Sequence, residues 1–204
     1  MPPTTPVRNA EATRSRILRA AFVEFYEHGF QAGSLTRIVD AANVTKGALF
    51  HHFTGKDALG LAVVDDLIGP LLLRRWLLPL QRTTDPIGAM QRTFRRFIRE
   101  DIDSGHWRFG CPLNNLSQEM SPLDDDFRTR LEALYDRWRE GIAKALAKGI
   151  AAGTVRADVS PDDAAALVVA AQMGIWGTGK NAQDERLMVQ AGEALCAYLE
   201  TLRA

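Results

Sequence analysis

Cysteine is scarce in this chain, which contains Cys111 and Cys196 as its two thiols among 204 residues. Two cysteines form no disulfide framework, and their spacing matches no metal-binding motif. The composition therefore excludes a small secreted scaffold held together by disulfides. It is typical of a protein from a reducing cytoplasm, where we expect this chain to work without a metal or another cofactor.

Long apolar runs and a leader sequence are also missing. The longest apolar run, residues 67–80, is interrupted by two arginines and two prolines, so it does not predict a transmembrane helix. Residues 1–14 are rich in Pro and Thr and lack the apolar segment of a signal peptide. We predict a flexible arm over residues 1–10 and no membrane partner.

An excess of charge of either sign is absent as well. Lys and Arg together number 25, and so do Asp and Glu, which gives a formal net charge of zero. A strongly basic total would have indicated a nucleic-acid partner, and this total gives no such indication. The distribution is slightly uneven, because residues 1–60 carry seven basic against five acidic side chains. The weakly positive part of the chain is therefore its N-terminal part.

Strand patterns are lacking too, and helical patterns are present in their place. No stretch alternates with a period of two for long enough to predict a strand, whereas apolar residues recur at helical spacing along the chain. Capping and breaking residues predict helices over residues 11–28, 34–42, 45–53, 54–68, 85–104, 112–120, 122–152, 164–177 and 184–202. We predict an all-α protein with a small N-terminal head and a larger helical body.

Two of these helices form a hairpin over residues 34–53. The hydroxyl of Ser34 can cap the first helix, Asn43 tolerates the left-handed conformation of a sharp turn, and Thr45 can cap the second helix. Apolar residues at helical spacing would pack the two helices together, namely Leu35, Ile38, Val39, Ala42, Val44, Leu49 and Phe53.

The second helix of the hairpin leaves a small polar face outward, formed by Thr45, Lys46, Gly47, Ala48 and His52. Thr and Lys can contact base edges or phosphates, and Gly and Ala leave nothing bulky to hold the backbone away from DNA. This face suits a major groove, which admits an α-helix. A helical hairpin with a solvated polar face is the alternative.

Residues 13–59 closely resemble the DNA-binding domain of the TetR (tetracycline repressor) family of bacterial transcription regulators. The resemblance rests on Gly29-Phe30, Ser34, the segment from Ile38 to Val44, Gly47-Ala48-Leu49-Phe50, His52-Phe53 and Lys56-Asp57. Two positions depart from the family pattern, because Asn43 stands where the family usually has Gly, and Phe50 replaces a Tyr whose hydroxyl often contacts a phosphate. His51, His52 and Lys56 would then make more of the backbone contacts.

The resemblance implies that residues 11–55 form a helix-turn-helix DNA-binding domain and that residues 56–204 bind a ligand and dimerise. The residues expected to contact DNA are Ser34, Thr36, Arg37, Thr45, Lys46, Gly47, Ala48, Phe50, His51, His52 and Lys56. Phosphate contacts would supply most of the affinity, and Thr45 to Ala48 with Thr36 and Arg37 would select the sequence. Arg8 in the arm either reaches a minor groove or is plainly disordered.

The last two predicted helices favour a homodimer. Residues 164–177 are apolar nearly all round and rich in Ala and Gly, so this helix must be covered on every side. Residues 184–202 offer it one apolar face, and two copies of the pair would form a four-helix bundle. A dimer also suits a palindromic operator, with recognition helices roughly 34 to 36 Å apart. Closure of a monomer core by the same helices is the alternative.

Aromatic and sulfur-containing side chains are concentrated in the central helices and predict a small-molecule site in the body. The candidate ligand-binding residues are Trp76, Met90, Phe94, Phe97, Trp107, Phe109, Cys111, Asn115, Met120, Tyr135, Trp138, Met173 and Trp176. Ordinary core packing is the alternative for each of them. A ligand between the helices that start near residues 56, 85 and 122 would displace the first of these helices and change the spacing of the recognition helices.

The segment from Gly110 to Met120 resembles a subset of the family that senses electrophiles through a cysteine at this place. If Pro112 is the first helical residue, Cys111 occupies the cap, where the helix dipole and free amides stabilise a thiolate. A buried and inert cysteine is the alternative. Asn114, Gln118 and Glu119 of the same segment either orient a polar ligand or complete helix ends.

These patterns predict a ligand-responsive DNA-binding regulator, a repressor that a small molecule releases from its operator, and not an enzyme. Two other readings stay open. One is an enzyme with Cys111 as nucleophile and His106 as base, for which no orienting motif is present. The other is an architectural DNA binder whose sealed body holds no ligand, and a cavity in the body would distinguish it from the regulator.

Overall fold

The computed structural model describes residues 6–204, with side chains described from Ala10 onward. These residues form helices joined by turns, and their one extended pairing is an isolated bridge between Val155 and Arg203. The all-α prediction is confirmed for this part of the chain. No helix within it combines the length and the apolar character that crossing a membrane requires.

The first helix, α1, spans Pro6–His28 and ends where Gly29 adopts a left-handed φ of 84°. Its start corrects the predicted arm, because residues 6–10 are helical. Proline is tolerated in the first turn of a helix, where its missing N–H would have no partner in any case. Residues 1–5 and the side chain of Arg8, for which a minor-groove role was predicted, lie outside the described residues.

The predicted hairpin is formed by α2, Leu35–Ala42, and α3, Lys46–His52. A continuous helical run follows the hairpin. It contains three α-helical segments, α4, Lys56–Val63, α5, Gly69–Leu72, and α6, Leu78–Gln81. These segments are joined by two π-helical turns, Val64–Ile68 and Leu73–Leu77. The prediction that this helix ends near residue 68 is therefore wrong.

Two prolines explain the irregular course of this run. Pro70 and Pro79 each follow a π-helical turn by two residues. A proline lacks the N–H of a regular helix, and its ring collides with the carbonyl four residues earlier. A π-helical turn widens the backbone locally and relieves that collision, so the run continues through both prolines.

The remaining helices are α7, Pro86–Ser104, a 3-10 turn His106–Phe109, α8, Pro112–Met120, α9, Asp125–Ala151, α10, Pro161–Ala182, and α11, Glu185–Thr201. Helix α9 begins three residues later than predicted, because the Asp124 carboxylate accepts the N–H of Phe127 at 2.9 Å and so caps the helix. Ser160 and Asp184 cap α10 and α11 in the same way.

The chain divides into two compact units. The head unit comprises the chain up to Pro70 together with Asn115–Leu131, and the body unit comprises Leu71–Asn114 together with Glu132–Ala204. This division differs from the boundary predicted after residue 55. Sequence order could not indicate that residues 115–131, from the middle of the chain, complete the head.

The core of the head unit is built around three aromatic rings. The ring of Phe30 lies 5.0 Å from that of Phe25 and 4.8 Å from that of Phe127. A Cβ atom at Gly60 would lie 2.5 Å from the Phe30 ring and 2.7 Å from the Phe127 ring. Helix α4 can approach this aromatic pair closely because position 60 has no side chain.

The core of the body unit is formed by α7, α10 and α11, with α9 supplying the largest side chain. Helix α11 packs against both α7 and α10. The side chains of Trp138, Phe94, Met188 and Leu199 are almost completely buried. This core holds the aromatic residues that the sequence marked as ligand candidates.

Candidate functional site

The hairpin turn has the capping geometry that the sequence predicted. The Ser34 hydroxyl accepts the N–H of Arg37 at 3.4 Å, and the Thr45 hydroxyl accepts the N–H of Ala48 at 3.1 Å. Asn43 adopts the left-handed conformation, with φ 49° and ψ 58°. Because these residues fix both helix ends, the direction in which α3 presents its side chains is set before any partner binds.

The outward face of α3 is free of obstruction. Lys46 and Gly47 are exposed, and Phe50 is 44% exposed, which is unusual for a phenylalanine. A Cβ atom at Gly47 would meet only the Thr45 hydroxyl, at 3.9 Å. Packing within the protein therefore does not require glycine at position 47, and a close approach by another molecule would explain it.

Arg37, predicted to select the DNA sequence, makes contacts within the head unit while its side chain stays 54% exposed. Its Nε atom donates to Glu24 Oε1 at 2.9 Å and its Nη2 atom donates to the same oxygen at 2.5 Å and to the carbonyl of Ala32 at 3.2 Å. The Ser34 N–H also donates to Glu24, at 2.8 Å. Arg37 thus ties α2 to α1, and most of its guanidinium is engaged inside the head unit.

Glu24 accepts the hydrogen bonds of this network, and its role was not predicted from the sequence. Its side chain is buried, which opposes ionisation, but the hydrogen bonds from Arg37 and from the Ser34 N–H outweigh that effect and hold the pKa of Glu24 below its ordinary value. A single acid on the inward side of a predicted amphipathic helix is the signal that would have revealed it.

Two further basic residues are engaged within the head unit. Lys56 Nζ donates to the carbonyl of Gln31 at 2.9 Å and lies 5.1 Å from the centre of the Phe30 ring. Arg14 pairs with Asp66 at 2.6 Å and lies over the Phe53 ring. Lys56 was predicted to contact a phosphate, and its ammonium group keeps two further N–H donors for that contact.

His52 differs from the other predicted phosphate contacts. Burial, together with the nearby positive charges of His51 and Arg14, holds the pKa of His52 below its ordinary value of 6.5. The ring is therefore neutral near pH 7 and can donate or accept a hydrogen bond without adding a charge. His51 and Thr36, by contrast, lie on the exposed surface.

The turn between α1 and α2 is held from the segment that was predicted to sense ligands. Glu119, near the end of α8, accepts the N–H of Phe30 at 2.8 Å and the N–H of Gln31 at 2.7 Å. A Cβ atom at Gly29 would lie 3.2 Å from the same carboxylate, so both the left-handed φ and the close contact favour glycine there. Glu119 is therefore a structural residue of the head unit.

Met120, which was predicted to bind ligand, lies at the same place. Its sulfur accepts a hydrogen bond from Gln31 Nε2 at 3.5 Å, and both Met120 and Asn115 belong to the head unit. The two residues were predicted to bind ligand with the aromatic side chains of the body, which form a separate compact unit. Spacing along the chain could not reveal this separation, because α8 has residues in both units.

The body unit brings five of the predicted ligand residues together. The ring of Trp76 lies 5.0 Å from Phe94, 4.9 Å from Phe97, 5.2 Å from Trp138 and 6.4 Å from Trp176. Tyr135 and Met173 form a second pair, in which the tyrosine hydroxyl donates to the sulfur at 3.4 Å. Trp107 is buried, with Arg108 over its ring, and Phe109 is half-buried, and neither is among the residues that contact Trp76 through their rings.

A narrow cavity lies within this aromatic cluster. Its free volume is about 10 Å³, and it is lined by Trp76, Leu80, Met90, Thr93, Phe94, Trp138, Ile142 and Val168. Four of these residues, Leu80, Thr93, Ile142 and Val168, were not predicted, because aliphatic and threonine side chains give no sequence signal for a pocket. A cavity of this volume has room for about one water molecule.

Next to the cluster, a buried carboxylate is fully engaged. Asp101 is 8% exposed, accepts the Trp176 N–H at 2.6 Å and pairs with Arg75 at 3.3 Å. Arg75 also contacts Glu100, at 3.1 Å, and lies 4.2 Å from the centre of the Phe97 ring. This network neutralises the charge beside the cluster and holds the Trp176 ring in place.

Cys111 occupies the predicted cap of α8, where its side chain is half-buried. Burial raises the pKa of the Cys111 thiol above its ordinary value, although the N–H groups of Asn114 and Leu113 point at the sulfur and act in the opposite direction. The helix N-terminus therefore does not offset desolvation. A protonated thiol is a poor nucleophile, so the geometry favours the inert alternative for Cys111.

Two short capped helices with a small, open, polar face on the second define a helix-turn-helix DNA-binding regulator. Residues 17–63 match the family described as bacterial regulatory proteins, tetR family, and residues 87–195 match the tetracyclin repressor-like C-terminal domain. The chain therefore belongs to the TetR family of transcriptional regulators. Members of this family bind DNA operators and dimerise, and repression that responds to a ligand is typical of them.

Individual relatives agree with this assignment over most of the chain. The sequence is 29% identical over 161 residues to the HTH-type transcriptional repressor DhaR of Mycobacterium sp. strain GP1, which covers 79% of each chain. It is 30% identical over 161 residues to the transcriptional regulator AcuR of Cereibacter sphaeroides, which covers 76% of this chain and 70% of AcuR. A crystal structure of a TetR transcriptional regulator from Chloroflexus aurantiacus has a TM-score of 0.83 at 25% identity, covering 96% of this chain and 98% of that chain.

Proposed function

We propose that this protein is a dimeric repressor that inserts α3 of each subunit into successive major grooves of a palindromic operator. The observation that carries the proposal is the open space around Gly47 on the exposed face of α3. Because this glycine is not needed for internal packing, its lack of a side chain serves an outside surface. The floor of a major groove, where base edges lie, is such a surface.

The proposed base-reading residues are Thr45, Lys46, Gly47 and Ala48, with Thr36 beside them. Lys46, His51 and Lys56 would contact phosphates, and Ser34 and Phe50 would support the backbone of the same face. Arg37 is omitted from the base-reading set, because its guanidinium is engaged by Glu24 and Ala32. His52 would form a neutral hydrogen bond, since burial keeps its pKa low.

The proposed dimer contact lies on α10 and α11. Along α10 the exposed residues Ala166, Leu167, Ala170 and Gly174 form a stripe of small and apolar side chains, with Leu167 48% exposed. Leu187 and Val189 of α11 are also exposed, at 37% and 44%. Uncovered apolar faces on two adjacent helices are what a four-helix bundle between two copies would bury.

The proposed inducer site is the cavity in the aromatic cluster of the body unit. A ligand that binds one conformation of the dimer better than the other shifts the population toward that conformation. If the favoured conformation holds the two recognition helices at a spacing that does not fit the operator, ligand binding releases the DNA. Since chromosomal DNA is the target, we expect the protein to work in the cytoplasm.

Substitution of Gly47 tests the DNA-binding face. Gly47→Ala should leave the stability of the free protein unchanged or raise it by about 0.5 to 1 kcal/mol, because alanine favours a helix and meets open space. The same change should weaken operator binding by roughly tenfold or more, measured by fluorescence anisotropy with full-length protein. Equal operator affinity for Gly47→Ala and wild type would contradict the insertion of this face.

A pair of lysine variants separates phosphate contacts from general charge effects. Lys46→Ala should weaken operator binding and reduce the slope of log K against log salt by about one. Lys148→Ala removes the same charge from an exposed position on α9 and should leave both quantities unchanged. Identical effects of the two substitutions would show that only net charge matters and would reject the proposed recognition helix.

The dimer contact is tested by Leu167→Asp, which places a charge on the exposed stripe of α10. Sedimentation equilibrium should show a shift from dimer to monomer, with loss of operator binding at the same protein concentration. Arg99→Asp, an exposed change on α7 away from the stripe, serves as the control. A Leu167→Asp protein that stays dimeric would rule out α10 as the contact.

A further inference from the structure

Two buried polar groups in the body unit lack a hydrogen-bond partner within the described residues. They are the indole N–H of Trp138, whose side chain is 1% exposed, and the side-chain oxygen of Gln172, which is 3% exposed. Leaving such a group unpaired away from water costs about 1 to 3 kcal/mol. Native proteins rarely retain this cost without a bound molecule that removes it.

One of these residues lines the cavity, and the other lies on α10 between two residues that belong to the cavity or the aromatic cluster. Trp138 lines the cavity directly. Gln172 lies one helical turn after Val168, which also lines the cavity, and one turn before Trp176, whose ring lies 6.4 Å from that of Trp76. Residues four apart share one helix face, so Gln172 is on the α10 face that closes the cluster.

The chemical character of the lining residues determines whether the cavity favours a charged or an uncharged ligand. Apart from the hydroxyl of Thr93, the lining side chains are aliphatic or aromatic and none is ionisable. The buried acid beside the cluster, Asp101, is already paired with Arg75 and Trp176. An ion in this cavity would lose its hydration without gaining a counter-charge, so the site favours an uncharged molecule.

We propose that the cavity binds a small, uncharged, ring-containing molecule with a hydroxyl group, whose oxygen accepts the Trp138 N–H and whose proton is donated to Gln172. A hydroxyl is both donor and acceptor, so a single such group matches both unpaired atoms. This inference rests on the proposed function and assigns the chemical class of the inducer.

The size of the cavity adds a condition on binding. Its free volume is about 10 Å³, enough for about a single water molecule. Aromatic side chains must therefore move apart to admit a ring, and Trp76 is the half-exposed member of the cluster that can do so. The ligand would thus select a form of the body that is more open than the one described.

Four probes of similar size test the assignment by titration calorimetry on the full-length protein. Phenol offers a donor and an acceptor, anisole only an acceptor, toluene neither, and benzoate a charge. We expect phenol to bind about tenfold more tightly than toluene, with anisole between them and benzoate the weakest. Equal affinity for phenol and toluene, or tighter binding of benzoate, would overturn the proposal and would point to a trapped water at the two polar groups.

Variants assign each preference to its residue. Trp138→Phe should remove the advantage of anisole over toluene, and Gln172→Leu should remove the advantage of phenol over anisole. Trp107→Phe, a change at another buried tryptophan of the body unit, is the matched control and should keep the full order. Retention of the full order in both cavity variants would also overturn the proposal, and circular dichroism checks that each variant is folded.

Failure of this inference and failure of the proposed function give different results. Operator binding is measured by fluorescence anisotropy while each probe is titrated up to saturation. Phenol should release the operator in wild-type protein, and Trp138→Phe should raise the phenol concentration required by about tenfold. If toluene and phenol release the operator at equal concentrations, the protein is a ligand-responsive regulator but its ligand does not need a hydroxyl group. If phenol binds tightly without releasing the operator, the cavity binds the proposed class of molecule but is not the inducer site.

Discussion

Glu24 of the head unit and Gln172 of the body unit are both buried polar residues on a helix, and their surroundings are opposite. Glu24 accepts hydrogen bonds from Arg37 and from the Ser34 N–H, and Glu119 of the same unit accepts two backbone N–H groups. The side-chain oxygen of Gln172 and the N–H of Trp138 have no partner among the described residues of the body unit.

This difference matches the tasks assigned to the two units. A head that must present α3 in one orientation gains from polar groups that are satisfied before DNA arrives, because no reorganisation is needed on binding. A body that must change state when a small molecule binds gains from polar groups left unsatisfied, because the ligand then removes a cost that the empty protein carries. Replacing a buried polar side chain with an apolar one should therefore lower the free energy of unfolding in the head unit and raise it in the body unit.

The largest expected effect is at Glu24. Glu24→Ala leaves the Ser34 N–H and Arg37 without their acceptor, so we expect the free energy of unfolding to fall by about 2 to 3 kcal/mol in urea denaturation at pH 7. Because folding lowers the pKa of Glu24, its contribution is present above the ordinary pKa of 4.5 and is lost as the pH falls below it. The difference in the free energy of unfolding between Glu24→Ala and wild type should therefore become smaller as the pH falls below 4.5. Glu27→Ala, at an exposed position on the same helix, is the control.

A smaller loss is expected at Glu119. Glu119→Ala exposes the N–H groups of Phe30 and Gln31 to solvent, and we expect about 1 to 2 kcal/mol of destabilisation, together with weaker operator binding. Gln118→Ala changes the exposed neighbour and should have no effect on either quantity. Normal operator affinity and stability for Glu119→Ala would show that the turn between α1 and α2 does not depend on this carboxylate.

At Gln172 we expect a substitution to increase the free energy of unfolding instead of lowering it. Gln172→Leu replaces an unpaired polar group with an apolar one of similar size, so we expect the protein to gain about 1 kcal/mol of stability, measured by the urea midpoint. The phenol concentration that releases the operator should rise, because the ligand hydroxyl loses one of its two partners. Destabilisation by Gln172→Leu would contradict the comparison between the units, because it would mean that the amide is satisfied in solution.

The smallest effect concerns Cys111 in the body unit. Since burial raises its pKa above the ordinary value of 9.0, little thiolate is present at pH 7, and alkylation by iodoacetamide should be at least about tenfold slower than in urea-unfolded protein. The rate should increase as the pH rises past 9. Mass spectrometry follows the reaction, and Cys111→Ser should retain operator binding. Rapid alkylation at pH 7 that abolishes operator binding would revive the thiol sensor.

Much of the head could be predicted from local sequence because local interactions decide it. Ser34 and Thr45 cap helices a few residues away, and Asn43 adopts the left-handed conformation that Asn tolerates. These interactions join residues at most four positions apart, so they can be predicted from a short stretch of sequence. The outward face of α3 follows from helical periodicity in the same way.

The roles of the charged residues could not be predicted in this way. Arg37 meets Glu24 across 13 positions, and Glu119 meets Phe30 across 89 positions. A sequence shows that such groups exist but not which of them are close in space. The sequence predictions for Arg37 and for the segment containing Glu119 therefore did not include these contacts within the head unit.

Residue order was enough to predict a set of amphipathic helices with a capped hairpin near the N-terminus, because propensity, capping and periodicity act between neighbouring residues. Three features needed the folded chain: residues 115–131 belong to the head, burial raises the pKa of Cys111 despite the helix N-terminus, and Trp138 and Gln172 lack partners among the described residues. Burial and partner choice depend on which distant segments pack together, and that information is not local to any stretch of the chain.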